Sequence, residues 1–148
     1  MQVELQVNIF KMELRDIREG NYVKESEFSS RDRALVPSYR VEYRDLGYHQ
    51  FMIGIPITLD WCKSLDMDIH MKEPWATASN FDWIAYAPGL KVKSNLGEVT
   101  VFLIMGGGYS ILEHIKYVHQ IQNFYYGMWG FEIDEENPTE FYKITKHE

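Results

Sequence analysis

The sequence predicts an α+β fold: an antiparallel sheet or small partly open barrel, with one main C-terminal helix at about residues 110–130 packed on it. Three observations predict this. Apolar residues alternate with polar ones in several short runs, the period of half-buried strands. Turn residues separate these runs. A single long stretch, Ser110 to Phe131 (SILEHIKYVHQIQNFYYGMWGF), switches to the helical period. Two packed sheets with the helix at one end is the alternative arrangement. At 148 residues the chain reads as one domain, residues 1–148, long enough to bury a core without disulfides or metals.

In order along the chain, Val3, Leu5, Val7 and Ile9 alternate with Gln2, Glu4, Gln6 and Asn8, which predicts a strand. Glu19-Gly20-Asn21 is a turn, followed by a short strand at Tyr22 to Lys24, and residues 25–37 are polar enough to be a loop. Tyr39, Val41 and Tyr43 alternate with Arg40, Glu42 and Arg44, a second strand turned by Leu46-Gly47, and His49 to Ile55 is a further apolar run. Thr58 fits the cap of a helix of about seven residues, with Asp60 in its first turn and Trp61, Cys62 and Leu65 apolar. Met67, Ile69 and Met71 alternate with Asp66, Asp68 and His70, again a strand. After a break at Glu73–Ser79, two runs flank Pro88-Gly89, and Asn95-Leu96-Gly97 is another turn. Val99 to Met105 is wholly apolar, which predicts a central strand covered on both faces. Phe131 to Asp134 reads as a short strand, and residues 134–148 as a frayed end.

The closing stretch has its own start and stop signals. Ser110 stands three residues before Glu113, the S-x-x-E capping box, after the strand-breaking Gly106, Gly107 and Gly108. Ile111, Ile115, Val118, Ile121, Tyr125, Met128 and Trp129 fall on one helical face, with Glu113, Lys116, Gln120 and Asn123 opposite. Gly130 fits the left-handed residue that ends a helix, with Phe131 folding back on the last turn. His114 and Gln122 are polar residues within the apolar face. They are either bonded to strand backbone or lining a ligand pocket, because an unbonded buried amide costs about 1–3 kcal/mol.

Composition narrows the function. A hydrophobic share of 45% excludes wholesale disorder. A net charge of −7 disfavours binding along a phosphate backbone, so no nucleic-acid partner is expected; Arg31, Arg33, Arg40 and Arg44 are the only cluster that would argue otherwise. The single cysteine, Cys62, excludes an intramolecular disulfide, fits a reducing compartment, and reads as core rather than nucleophile. No run approaches 18 apolar residues, and the first ten residues form no apolar leader, so neither a membrane span nor a signal peptide is expected.

Three constellations carry chemistry. Asp66, Asp68 and His70 would share one face of a strand at period two. Their default reading is a solvated face, and the alternative is a divalent-cation site. Trp75, Phe81, Trp83 and Tyr86 crowd a proline-marked segment, as core or as a partner-binding patch. His119, Gln120 and Asn123 lie on the polar flank of the predicted helix, as a solvated or strand-bonded face or as a recognition surface. Gly106-Gly107-Gly108 lacks the Lys-Ser/Thr of a phosphate-cradling loop. No cofactor is expected, and no metal beyond the weak triad.

Three segments together, MELRDIREGNYV near the start, GIPITLDW at 54–61 and IKYVHQIQNFYYGMWGFEI at 115–133, carry a resemblance. They resemble small uncharacterised proteins of Bacteroidetes phages and prophages, whose pattern runs LRIGNYV, IPLTEEWL, YVHQLQNLYFALTGEEL. Tyr117, Val118, His119, Gln120, Gln122, Asn123 and Gly130 coincide with the closing motif. The chain departs from it in the residues inserted between Leu14-Arg15 and Gly20-Asn21, and in Gly127-Met128-Trp129. The resemblance implies a bacterial cytoplasmic setting and an accessory role, and no reaction. The expected function is therefore a non-catalytic accessory protein that binds a host or phage protein. A small metal-assisted hydrolase using Asp66, Asp68 and His70, or a small-ligand binder with a pocket beside His114 and Gln122, are the alternatives.

Overall fold

The computed structural model describes residues 12–75 and 81–135. The expected N-terminal strand at Val3–Ile9 and the expected frayed end beyond residue 135 lie outside the described residues. The fold is α+β; among the described residues there are antiparallel sheets of three and five strands that do not close into a barrel. The chain divides into two compact units, Met1–Pro56 with Tyr117–Asn123, and Ile57–Lys116 with Phe124–Glu148.

The first unit holds β1 (Tyr22–Glu25), β2 (Tyr39–Arg40) and β3 (Met52–Ile53), with β1 in the middle. Its core is Met12, Ile17, Val23, Tyr39, Val41 and Met52. The strand expected at Tyr39–Tyr43 stops at Arg40, and helical turns over Tyr43–Phe51, interrupted at Tyr48, replace it. The cause is a reciprocal cap: the Glu42 N–H donates to the Asp45 carboxylate at 2.8 Å, while the Glu42 side chain accepts from the Asp45 backbone. A local side-chain bond outcompetes the two-residue alternation.

In the second unit, α1 (Leu59–Ser64) is capped as expected, the Thr58 hydroxyl accepting from the Trp61 N–H at 3.2 Å. It lies against β4 (Asp68–Met71) and β5 (Trp83–Ala87), which begin a meander continued by β6 (Leu90–Asn95), β7 (Glu98–Met105) and β8 (Gly108–Ile111). Each strand pairs antiparallel with its sequence neighbour. Two of the hairpins turn on residue pairs with positive φ, Leu96-Gly97 (54° and 82°) and Gly106-Gly107 (52° and 85°). That is the type I′ geometry, whose twist matches that of the strands.

The second of these hairpins corrects the helix expectation. The Gly106-Gly107 turn sends Gly108–Ile111 back along β7, so Ser110 is a strand residue and caps nothing. The main helix, α2, spans Val118–Trp129 instead of about 110–130. Its cap uses Gln120, whose side-chain carbonyl accepts the Tyr117 N–H at 3.0 Å, the amide half of a capping box seven residues further on. Val118, Ile121 and Tyr125 are fully buried, as the helical period requires. The helix ends at Trp129 with Gly130 at φ 79°, and Phe131 meets the Tyr125 ring edge-on at 5.6 Å. Residues 131–134 form turns, not the expected strand. Only Val101 of β7 is fully buried, so this strand is not covered on both faces.

Candidate functional site

One face of the β4–β8 sheet is the candidate site. The strand pairings place Asp68, Tyr86, Lys91, Phe102 and Ile111 in one row across all five strands. Alternation adds His70, Ile84, Lys93, Thr100, Ile104 and Tyr109 to the same face. The opposite face carries Trp83, Ala85, Leu90, Val92 and Val101, all buried. The row face is open towards β8, where Tyr109 and Ile111 are each 58% exposed; Tyr86, Lys91 and Phe102 are half-buried, and Ile84 on β5 is buried.

The row is held by ring contacts. His70 meets Tyr86 edge-on at 5.3 Å, and Phe102 meets Tyr109 edge-on at 6.1 Å. The Lys91 ammonium reaches across β7 to lie 4.4 Å from the centre of the Tyr109 ring and 5.5 Å from that of Phe102. Burial raises the Tyr86 hydroxyl pKa, with Tyr109 and the Asp68 carboxylate adding to the rise, so Tyr86 is a hydrogen-bond donor at neutral pH. The face thus offers flat apolar surface, one fixed ammonium and a few hydrogen-bonding groups.

The sequence candidates separate as follows. Asp68 and His70 do share a strand face, with His70 Nε2 3.2 Å from an Asp68 carboxylate oxygen. Asp66 does not join them: it sits at φ 59° in the turn after α1, ahead of β4, because the chain must reverse there. Among the described residues no group of three or more His, Cys, Asp or Glu side chains is arranged to hold a metal ion. Trp75 is 76% exposed in the segment after β4, whereas Trp83 is buried on the opposite face from Tyr86. Cys62 is buried, and burial pushes its thiol up to about 12, so it is an inert core residue.

His119, Gln120 and Asn123 do not form an exposed surface. The carbonyl of the Asn123 side chain accepts from Asn21 Nδ2 at 2.7 Å, and its amide donates to the Asp16 carbonyl at 3.1 Å. Gln120 caps the helix. His119 is 3% exposed, stacked on Tyr117 with ring centres 5.9 Å apart, and its Nδ1 has no hydrogen-bond partner among the described residues. Burial drives its pKa down to about 4, against a small opposing pull from Asp16. The helical spacing put all three on the polar flank, but on that side the Asn123 side chain is bonded to Asn21 and to the Asp16 carbonyl, and His119 is buried. Gln122 is fully buried and bonded to backbone at both ends of its amide, whereas His114 lies exposed ahead of α2.

A second polar cluster, in the first unit, was not legible from the sequence. Arg31 pairs with Glu25 at 2.8 Å and with Asp45 at 3.0 Å, and Arg33 pairs with Asp45 and Glu42 at 3.1 Å each. Glu25 also accepts from the Tyr39 hydroxyl at 2.6 Å and from the Ser29 hydroxyl at 2.7 Å. Burial would raise the Glu25 and Asp45 pKa values, but these donors outweigh it and hold both below the usual carboxylate range. Arg44 pairs with Glu42 and Arg40 lies over the Tyr22 ring, so the four arginines do not make a uniform basic face. The cluster is an internal brace. The Glu25 and Asp45 carboxylate oxygens are occupied by Arg31, Arg33, Tyr39, Ser29 and the Glu42 N–H.

No family model, curated protein sequence or solved structure matches the chain. No helix among the described residues is long and apolar enough to cross a membrane.

Proposed function

We propose that the chain is a non-catalytic binding protein whose open sheet face docks a protein partner. The observation that carries this reading is the row Asp68–Tyr86–Lys91–Phe102–Ile111, which leaves aromatic and aliphatic side chains at the surface of a rigid sheet. Aromatic residues on a fixed scaffold lose little freedom on binding and dominate contact energies. The resemblance of the three segments to small phage and prophage proteins supports a host or phage protein as the partner and the bacterial cytoplasm as the setting.

The test is affinity capture from a Bacteroidetes host lysate, with and without phage infection. The baits are the native chain, Lys63→Ala on the exposed side of α1, and Phe102→Asp. The expected result is a protein retained by the first two and lost by the third. Retention indifferent to Phe102→Asp, or no retained protein, would overturn the reading.

A further inference from the structure

The two edges of the five-stranded sheet are unlike. β4 presents Asp68 and His70, the kind of polar, chargeable side chains that discourage sheets from pairing edge to edge. β8 reads Gly108-Tyr109-Ser110-Ile111, with no charge, no proline and every residue exposed. The β7–β8 register settles which backbone groups it presents. Met105 pairs with Gly108 across the two-residue turn, a hydrogen-bonded position, and the Leu112 N–H donates to the Val101 carbonyl at 2.8 Å. Antiparallel pairs alternate, so Gly108 and Ser110 bond inward to β7, while Tyr109 and Ile111 turn their N–H and C=O outward. Among the described residues no strand pairs with that edge.

A charge stands beside it. The Lys91 ammonium lies over Tyr109, on the face that also carries Ile111. A strand added to β8 would run about 4.8 Å away. Side chains of that strand on the Lys91 face would come within reach of the ammonium. The remaining surface there, Tyr109 and Ile111, is apolar.

Resting on the partner-binding reading above, we infer that β8 is the docking edge. It takes an extended segment of the partner as a sixth strand, and that segment carries carboxylates on the side facing Lys91. The outward N–H and C=O groups of Tyr109 and Ile111 supply the ladder, and Lys91 selects acidic segments over basic ones. The ladder gives affinity irrespective of sequence. The lysine sets the sign of the charge, and the I′ turn fixes where along the edge the strand begins.

The probe is an acetylated, amidated heptapeptide of alternating valine and glutamate, with its valine–lysine counterpart as comparison. Both are titrated into the full-length isotopically labelled protein. The expected result is saturable shifts centred on the Tyr109 and Ile111 amides with the glutamate peptide, and binding roughly three- to fivefold weaker for the lysine peptide, the scale of one exposed ion pair. Lys91→Gln should erase that preference. Ile111→Pro, which removes an outward N–H without touching the β7 ladder, should abolish binding, and Ile111→Val should keep it. The native-protein titration stands even if the proline variant fails to fold. Absence of binding, equal binding of the two peptides, or shifts elsewhere would overturn the inference. If capture still depended on Phe102 in that case, the open-face reading would survive and only the strand-addition mode would fall.

Discussion

Gly54 lies against the ring of Tyr117, so closely that a Cβ on Gly54 would fall 2.6 Å from the ring's Cγ. Tyr117 bridges to Pro56, and the Val118 N–H donates to the Ile55 carbonyl at 2.8 Å. The glycine thus lets one extended segment pass directly under the residue that opens α2. Gly54→Ala should destabilise the protein by about 1–3 kcal/mol through overpacking. Urea melts check this, and the further loss from Gly54→Ala should shrink in a Tyr117→Ala background, since alanine has no atoms at the Cγ and Cδ positions that a Gly54 Cβ would meet.

Gln122 makes a stronger demand. Its carbonyl accepts the Tyr22 N–H at 2.8 Å and its amide donates to the Gly20 carbonyl at 3.0 Å, in a fully buried position. Gln122→Leu has nearly the right shape and leaves both backbone groups unbonded. Each costs about 1–3 kcal/mol, so the variant should lose several kcal/mol and Gln122→Ala at least as much. A melt within about 0.5 kcal/mol of the native protein would contradict this.

His119 should govern stability in mild acid. Its pKa falls from 6.5 to about 4 on folding, so the unfolded chain binds the proton better and stability drops as pH falls from 6.5 towards 4. The full drop is about 3 kcal/mol. Glu25 and Asp45 act lower, because their depressed values matter only once unfolded carboxylates begin to protonate. Denaturation midpoints of His119→Leu should be flat between pH 7 and 5, where the native protein's decline.

Leu96 is a misfit. It is 91% exposed at φ 54°, in the first position of an I′ turn that favours asparagine. Leu96→Asn should stabilise the protein by about 0.5–1 kcal/mol, read as a higher thermal midpoint, and Leu96→Val should lower it.

Arg31→Met should expose the difference between internal and surface charge. It strips Glu25 and Asp45 of their shared partner and should cost about 3–5 kcal/mol. Arg44→Met, at the exposed Glu42, should change stability by less than about 0.5 kcal/mol.

Much of the fold was legible where the local signal had no rival. Thr58 capped its helix, Pro88-Gly89 turned β5 into β6, and Val118, Ile121 and Tyr125 were the buried face of α2. Signals failed where two local preferences competed. Ser110 and Glu113 match a capping box, but two glycines with positive φ commit the chain to a hairpin first. Tyr39–Tyr43 alternates like a strand, but the Glu42–Asp45 cap ends it. The candidate site was half legible: Tyr86, Asp68 and His70 stood out by type, whereas Lys91 and Phe102 join them only through the β5–β6–β7 register, and Tyr109 only because β8 is a strand.

The meander has a kinetic corollary. Each of its pairings joins strands adjacent in the sequence, so the loops closed on forming them are short and cost little chain entropy. Gln122 and Gly20, by contrast, are 102 residues apart, and their bond must wait until residue 122 has left the ribosome. We expect pulse-labelled hydrogen exchange to protect the β5–β7 amides well before Tyr22. A chain cut short of residue 117 should keep the hairpins and leave β1 without the amide that clasps it.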